Sequence, residues 1–172
     1  MAVIPFEDEY VTLEQATAIV EILVRQCDLI EASEVQNELD FPELYDDDYL
    51  NGRKHSYTGY VYSGFQENTP LPAMTIAKRK YGRIHYLPQI ESDTAVIQIY
   101  SSEATLDINE IKEKCAEYNV EGNEKRFCVF QFWTSKRGHL THVDLVHFNS
   151  DAEQISRTEI FKFRARPIRA AA

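Results

Sequence analysis

The run Arg126-Phe-Cys-Val-Phe-Gln-Phe-Trp-Thr134 is apolar at both of its alternating positions. Successive side chains of an extended strand point to opposite faces, so a run of this kind is stable only when both faces are covered. That requirement places 126–134 at the centre of a sheet with a layer on each side. A length of 172 residues suffices for one ordinary domain, given the usual size of about 100–200 residues. With 44% apolar and 27% charged residues, the chain can bury a real core.

The neighbouring segments supply the rest of the sheet. Met74–Lys78 and Arg83–Leu87 read as strands around a glycine-bearing loop at Arg79-Lys-Tyr-Gly82. Ala95–Tyr100 is an almost continuous β-branched and aromatic run, suited to an interior strand. Asp107-Ile-Asn-Glu110 opens a helix on which Ile108, Ile111, Cys115 and Tyr118 share a face, and Asn119 and Gly122 end it. Lys136-Arg-Gly138 forms a hairpin loop into Leu140–Phe148, and Ile155–Phe163 gives a last strand. The expected class is α+β: an N-terminal helical segment packed on a mostly antiparallel sheet of about six strands with one intervening helix, β-β-β-α-β-β-β.

The N-terminal part reads as helices. Thr12-Leu-Glu-Gln15 is a capping box, and Leu13, Ala16, Val20, Leu23, Cys27 and Ile30 follow with the period of one buried helix face. This predicts a helix over Leu13–Glu31. Ser33-Glu-Val-Gln36 and Asp40-Phe-Pro-Glu43 repeat the capping pattern and predict a short helix near 34–39 and another near 42–50, stopped by Asn51-Gly52. On this reading Asp40 and Glu43 serve a helix N-terminus, whereas Asp46, Asp47 and Asp48 have no structural duty. The domain plan is an acidic helical segment at 1–50, an aromatic, Gly- and Pro-punctuated connector at 51–72, a mixed α+β sheet unit at 73–166, and a tail at 167–172. The Ala170-Ala171-Ala172 end of that tail has the look of a cloning scar.

Charge divides the chain unequally. Residues 1–50 carry fourteen Asp and Glu against the single Arg25, a net of −13; residues 51–172 carry fourteen acids and seventeen bases, a net of +3. The overall −10 disfavours a simple nucleic-acid binder or a membrane-surface protein. Glu14, Glu21 and Asp28 recur every seven residues on the polar face of the first helix, with Arg25 an i,i+4 neighbour of Glu21. Their carboxylates are expected roughly 10 Å apart along a solvent ridge. The longest apolar stretch, Ala18–Val24, already contains Glu21, so no transmembrane helix is expected, and the N-terminus lacks the basic and apolar regions of a secretory signal. A cytoplasmic protein is the expectation.

No catalytic motif emerges. Cys27, Cys115 and Cys128 lie on apolar periodic segments, too far apart for a C-x-x-C site, and read as buried small hydrophobes. The glycine-rich loops that cradle phosphates are absent. His139-Leu-Thr141 has one H-x-T unit, but the phosphate chemistry built on that pattern needs two. On one strand His142 and Asp144 share a face while His147 takes the other, so a metal site would need a carboxylate or His from a neighbouring strand, and His85 is the only contributor the sequence offers. No metal or cofactor is expected.

Two functions remain. The first is a non-enzymatic acidic interaction module, an inhibitor or nucleic-acid mimic that occludes a basic nucleic-acid-binding partner. Small mobile-element proteins use such modules against host nucleases and CRISPR effectors, and Glu14, Glu21, Asp28, Asp46, Asp47 and Asp48 are its candidate contacts. The second is a nucleic-acid or phosphate-binding domain, with a nuclease or phosphoesterase as its enzymatic form. Its basic hairpin Lys78, Arg79, Lys80, Tyr81 and Arg83 would track a phosphate backbone, beside the His139–Asp144 strand. In a third arrangement the acidic and basic halves neutralise each other, within one molecule or in a homodimer.

Overall fold

The computed structural model describes residues 3–81, 85–102 and 108–164, apart from the side chains at 54, 55, 78–81 and 85–87. Six strands form one sheet in sequential order: β1 Thr75–Tyr81, β2 His85–Glu91, β3 Ala95–Ser101, β4 Arg126–Thr134, β5 Leu140–Phe148 and β6 Gln154–Lys162. Only β3 and β4 run parallel, and α3 (Ile108–Tyr118) lies between them in the chain; every other neighbouring pair is antiparallel. The α+β class and the β-β-β-α-β-β-β order are those expected from sequence.

β4 is covered twice. Cys128, Phe130 and Phe132 point into the larger core, which they share with β5 residues Val143 and Leu145 and with the helical residues Ala16, Ile19, Leu23, Cys27 and Ile30. Phe127 and Val129 point the other way, into a smaller core with Val96, Tyr100, Ile111 and Cys115. α1 (Leu13–Asp40) therefore roofs one face, and α3 roofs part of the other. β3 is buried along its whole length. Beneath α3, Lys114 is 8% exposed and donates from Nζ to Gln89 Oε1 at 3.0 Å, while Tyr100 OH donates to Gln98 Oε1 at 2.6 Å.

The helices differ from expectation at their ends. The Thr12–Gln15 capping box is present, with Gln15 N donating to Thr12 Oγ1 and Thr12 N to Gln15 Oε1, each at 3.1 Å. From that cap α1 continues for 28 residues, so Ser33–Gln36 lies inside it and there is no separate helix at 34–39. Nothing from Glu31 to Asp40 breaks a helix, and Phe41, preceding Pro42, is the first residue whose α conformation is sterically opposed. Pro42–Leu44 is only a short 3-10 turn.

α2 (Asp47–Ser63) runs straight through Asn51-Gly52 and takes up most of the segment read as a connector at 51–72. Asp46 caps it by accepting from Tyr49 N at 2.7 Å, and Asp47 and Asp48 occupy its first turn. The duties assigned to these acids are thereby exchanged. Asp46 is the cap, whereas Asp40 is the last residue of α1 and Glu43 sits in the 3-10 turn. The overlooked signal is that Leu50, Tyr57 and Val61 are buried at i, i+7 and i+11, with Arg53 on the same side. In the first hairpin, β1 extends to Tyr81, so Arg79, Lys80 and Tyr81 belong to a strand rather than to a loop.

α1 meets the β4–β5 turn at Gly138. This residue has φ +87°, and a Cβ there would approach Ile30 Cγ2 to 2.3 Å. Alanine at 138 is strained twice, by a left-handed backbone and by overlap with a core residue, effects worth about 1–3 kcal/mol each. Gly138→Ala should lower the unfolding free energy by an amount in that range or above, read as a fall in the urea midpoint with the denaturant slope unchanged. A loss under 0.5 kcal/mol, about the size of an ordinary surface change, would show that the turn does not press on α1.

Candidate functional site

Two groups of acids stand out in the N-terminal part. Glu31, Glu34 and Glu38 of α1 and Asp47 of α2 meet bases. Glu38 makes a bidentate pair with Arg137, Oε1 to Nη2 at 2.6 Å and Oε2 to Nε at 2.8 Å. Asp47 Oδ1 lies 2.7 Å from Lys136 Nζ, and Glu31 Oε2 lies 2.7 Å from His139 Nδ1. The hydrogen bond from Arg137 holds the Glu38 carboxyl below its usual range, and that from Lys136 does the same for Asp47. Four positions of one turn, Lys136 to His139, thus meet α1 and α2: three through side-chain acids and Gly138 through Ile30.

Glu34, 1% exposed, is the buried member of this group. Its Oε1 accepts from Arg53 Nη2 at 2.6 Å and from Arg53 Nε at 3.2 Å, and its Oε2 accepts from Tyr45 OH at 3.1 Å. A pocket of about 280 Å³ opens beside the pair between α1 and α2, with Leu29, Ile30, Tyr57 and Tyr60 among its walls. Tyr57 OH is committed to the Lys136 carbonyl at 3.1 Å.

The second group is the expected ridge. Glu14, Glu21 and Asp28 are all exposed, and among the described residues none of them forms an ion pair, Glu21 with Arg25 included. They line two adjoining surface hollows that share Glu21. Leu13, Thr17, Ala18 and Pro72 complete one hollow, and Val24, Arg25 and Leu29 complete the other. Leu13 and Leu29, at opposite ends, are 43% and 63% exposed. The ridge is therefore a carboxylate strip with apolar flanks. Of the remaining candidates, Asp46 and Asp48 are exposed at the α2 N-terminus, and Asp47 is taken by Lys136.

The basic hairpin is only partly visible. Lys78, Arg79, Lys80 and Tyr81 sit on β1, paired with Pro88, Leu87, Tyr86 and His85, but their side chains lie outside the described residues, as does all of Arg83. His139 is occupied by Glu31, and Thr141 Oγ1 donates to the Trp133 carbonyl at 3.2 Å. The H-x-T pair is thus spent internally.

The strand parity of β5 is as expected. His142 and Asp144 share the face that α3 leaves open, and His147 points to the α1 side, where its Nε2 lies 2.6 Å from Asp8 Oδ1. The neighbouring-strand donor is Glu159 of β6, which sequence reading did not single out; the His85 side chain lies outside the described residues. His142 Nε2 lies 2.5 Å from Asp144 Oδ1, and its Nδ1 lies 3.2 Å from Glu159 Oε2. Arg157 Nη1 holds Asp144 Oδ2 at 2.8 Å and Gln131 Oε1 at 3.0 Å, and the Trp133 ring meets the His142 ring edge-on at 4.8 Å.

Nucleophilic chemistry has no support among the thiols. All three cysteines are free and buried, and burial pushes Cys27 up to about 12 and Cys115 up to about 11, with Cys128 raised as well. No helix among the described residues is long and apolar enough to cross a membrane. Fold and site together define an α+β protein with an acidic helical layer and a polar cluster on an open sheet face. No protein-family model, curated protein or solved structure shows significant similarity to the chain.

Asp8 provides a test of how the N-terminal segment is held. Burial raises its carboxyl pKa, but the hydrogen bond and charge of His147 and the N–H groups of Tyr10 and Val11 together outweigh burial and leave it lowered. A lowered folded value means stability that is present above the unfolded value near ~3.9 and lost as pH falls through the folded one. Thermal midpoints should therefore fall from about pH 5 towards pH 3, through that unfolded value, and Asp8→Asn should flatten the fall. An equal slope in wild type and variant would contradict the arrangement.

Proposed function

We propose that the chain is a non-enzymatic acidic interaction module that occludes a basic nucleic-acid-binding protein through the α1 ridge, as an inhibitor or nucleic-acid mimic. The observation that carries this reading is that Glu14, Glu21 and Asp28 remain exposed and unpaired although Glu31, Glu34, Glu38 and Asp47 on the same helical layer have all found bases. A strip of like charge without internal compensation repels itself, and a basic surface relieves that repulsion. The leucines at its ends add apolar contact area that a purely electrostatic surface would lack. An anti-defence role against CRISPR effectors or host nucleases is one use of such a surface. A cytoplasmic location would suit it.

The α2 N-terminus, with Asp46 and Asp48, extends the acidic surface, but Asp46 also caps the helix. The ridge is therefore the cleaner place to test. Deletion of residues 1–50 would be uninformative, because α1 supplies Ala16, Ile19, Leu23, Cys27 and Ile30 to the main core.

The triple variant Glu14→Gln, Glu21→Gln, Asp28→Asn alters exposed positions only and should keep the thermal midpoint. Against a panel of basic nucleic-acid-binding proteins, wild type should bind at low salt and weaken steeply as salt rises. The variant should bind about tenfold or more weakly, a change worth ~1.4 kcal/mol. Absence of binding by wild type at low salt, or equal binding by the variant, would refute the proposal.

A further inference from the structure

The cluster on the open sheet face owes its existence to one extra residue. In the β5–β6 ladder Val143 pairs with Phe161 and Asp144 with Glu159, so Ile160 is passed over. Ile160 and Phe161 both enter the main core, at 0% and 8% exposure. Without this bulge Ile160 would stand opposite Asp144, and Glu159 would be turned to the α1 side, because a one-residue slip exchanges the two faces of a strand. A second register shift, at Trp133/Thr134 on the β4 side, lies next to His142.

The bulge creates an arrangement that sheets ordinarily avoid. Two carboxylates stand directly opposite each other on adjacent strands, and one of them, the Asp144 side chain, is only 7% exposed. Like charges in that relation are destabilising. Arg157 offsets one of the two negative charges, through Asp144 Oδ2. The remaining charge lies around His142, whose ring nitrogens face Asp144 Oδ1 and Glu159 Oε2.

We propose that His142, Asp144 and Glu159, brought together by the β6 bulge, form a binding site for a divalent transition-metal ion of the zinc or manganese type. One donor atom from each residue lies within 4.8 Å of the other two. One imidazole with two carboxylates is a donor set for such ions, whereas magnesium and calcium favour oxygen donors throughout. The two carboxylates face the ion's two charges directly, Arg157 leaving one positive charge in the outer shell, and the imidazole binds in its neutral form. Outer contacts are already in place: Arg157 orients Asp144, Gln131 and Gln154 hold Arg157, and Trp133 packs against the His142 ring. Three protein donors leave further coordination positions for water on the open side of the sheet.

A second group, Asp28, Glu31 and His139, also brings three donors within 4.8 Å of one another, on the opposite side of the sheet, and provides the control. The full chain, stripped with EDTA, is titrated calorimetrically with zinc chloride, manganese chloride and magnesium chloride, and the cobalt(II) visible spectrum is recorded. Saturable binding of zinc or manganese at one ion per chain is expected, with magnesium at least tenfold weaker. His142→Ala and Glu159→Gln, both at solvent-accessible positions, should each weaken binding by about tenfold or more and abolish the cobalt band. His139→Ala should leave both intact. Far-UV circular dichroism of each variant separates lost binding from lost folding. No saturable binding by wild type, binding unchanged in folded His142→Ala, or loss of binding in His139→Ala would each overturn the assignment. The outcome is independent of the α1 ridge and of any protein partner.

Discussion

The contact between the second half of α1 and the β4–β5 turn governs how the helical layer sits on the sheet. Gly138 lets the turn approach Ile30 within the reach of a side chain, and around that point Glu31, Glu38 and Asp47 meet His139, Arg137 and Lys136. Most of these pairs are partly exposed and individually weak in water. Their importance is directional: they align an acidic helix with a basic turn, while Ile19, Leu23, Cys27 and Ile30 supply the burial. Ion pairing between the two halves is therefore partial, and the ridge is among the acids it leaves over.

On the other side of the sheet the constraint is the doubly covered β4. Phe127 and Val129 call for a roof, and α3 provides one over β3 and β4. Towards β6 no helix among the described residues covers the same face, so its residues are those that tolerate water: Gln131, His142, Arg157 and Glu159. Asp144 is the exception, buried there only because Arg157 and His142 satisfy both of its oxygens. A sheet packed against α1 on one face and roofed only in part by α3 on the other thus has a polar shelf built into it.

How much could be read in advance depended on the range of the information. The capping box of α1, the burial of β3 and the bounds Arg126–Thr134 and Leu140–Phe148 follow from local patterns and are observed as expected. Helix ends were harder: Ser33–Gln36 has the composition of a cap yet lies inside α1, because the same residues are compatible with a continuing helix, and Asp40–Glu43 opens only a 3-10 turn. The Leu50, Tyr57, Val61 spacing was legible and would have revealed α2. The ridge was visible as a seven-residue repeat. Glu159 was not, since its neighbourhood with Asp144 depends on a single bulged residue.

By itself the sequence determined the order of the six strands and α3, the centrality of β4 and the acidic character of the helical layer, because periodicity and charge density are properties of short segments. Only the tertiary structure decided which acids are spent and which are free. The partners of Glu31, Glu38 and Asp47 lie 108, 99 and 89 residues away along the chain, and no local pattern encodes such a distance. It also decided that His142, Asp144 and Glu159 meet, because the face a strand residue occupies depends on register, and register is set by how Ile160 and Phe161 fit the core.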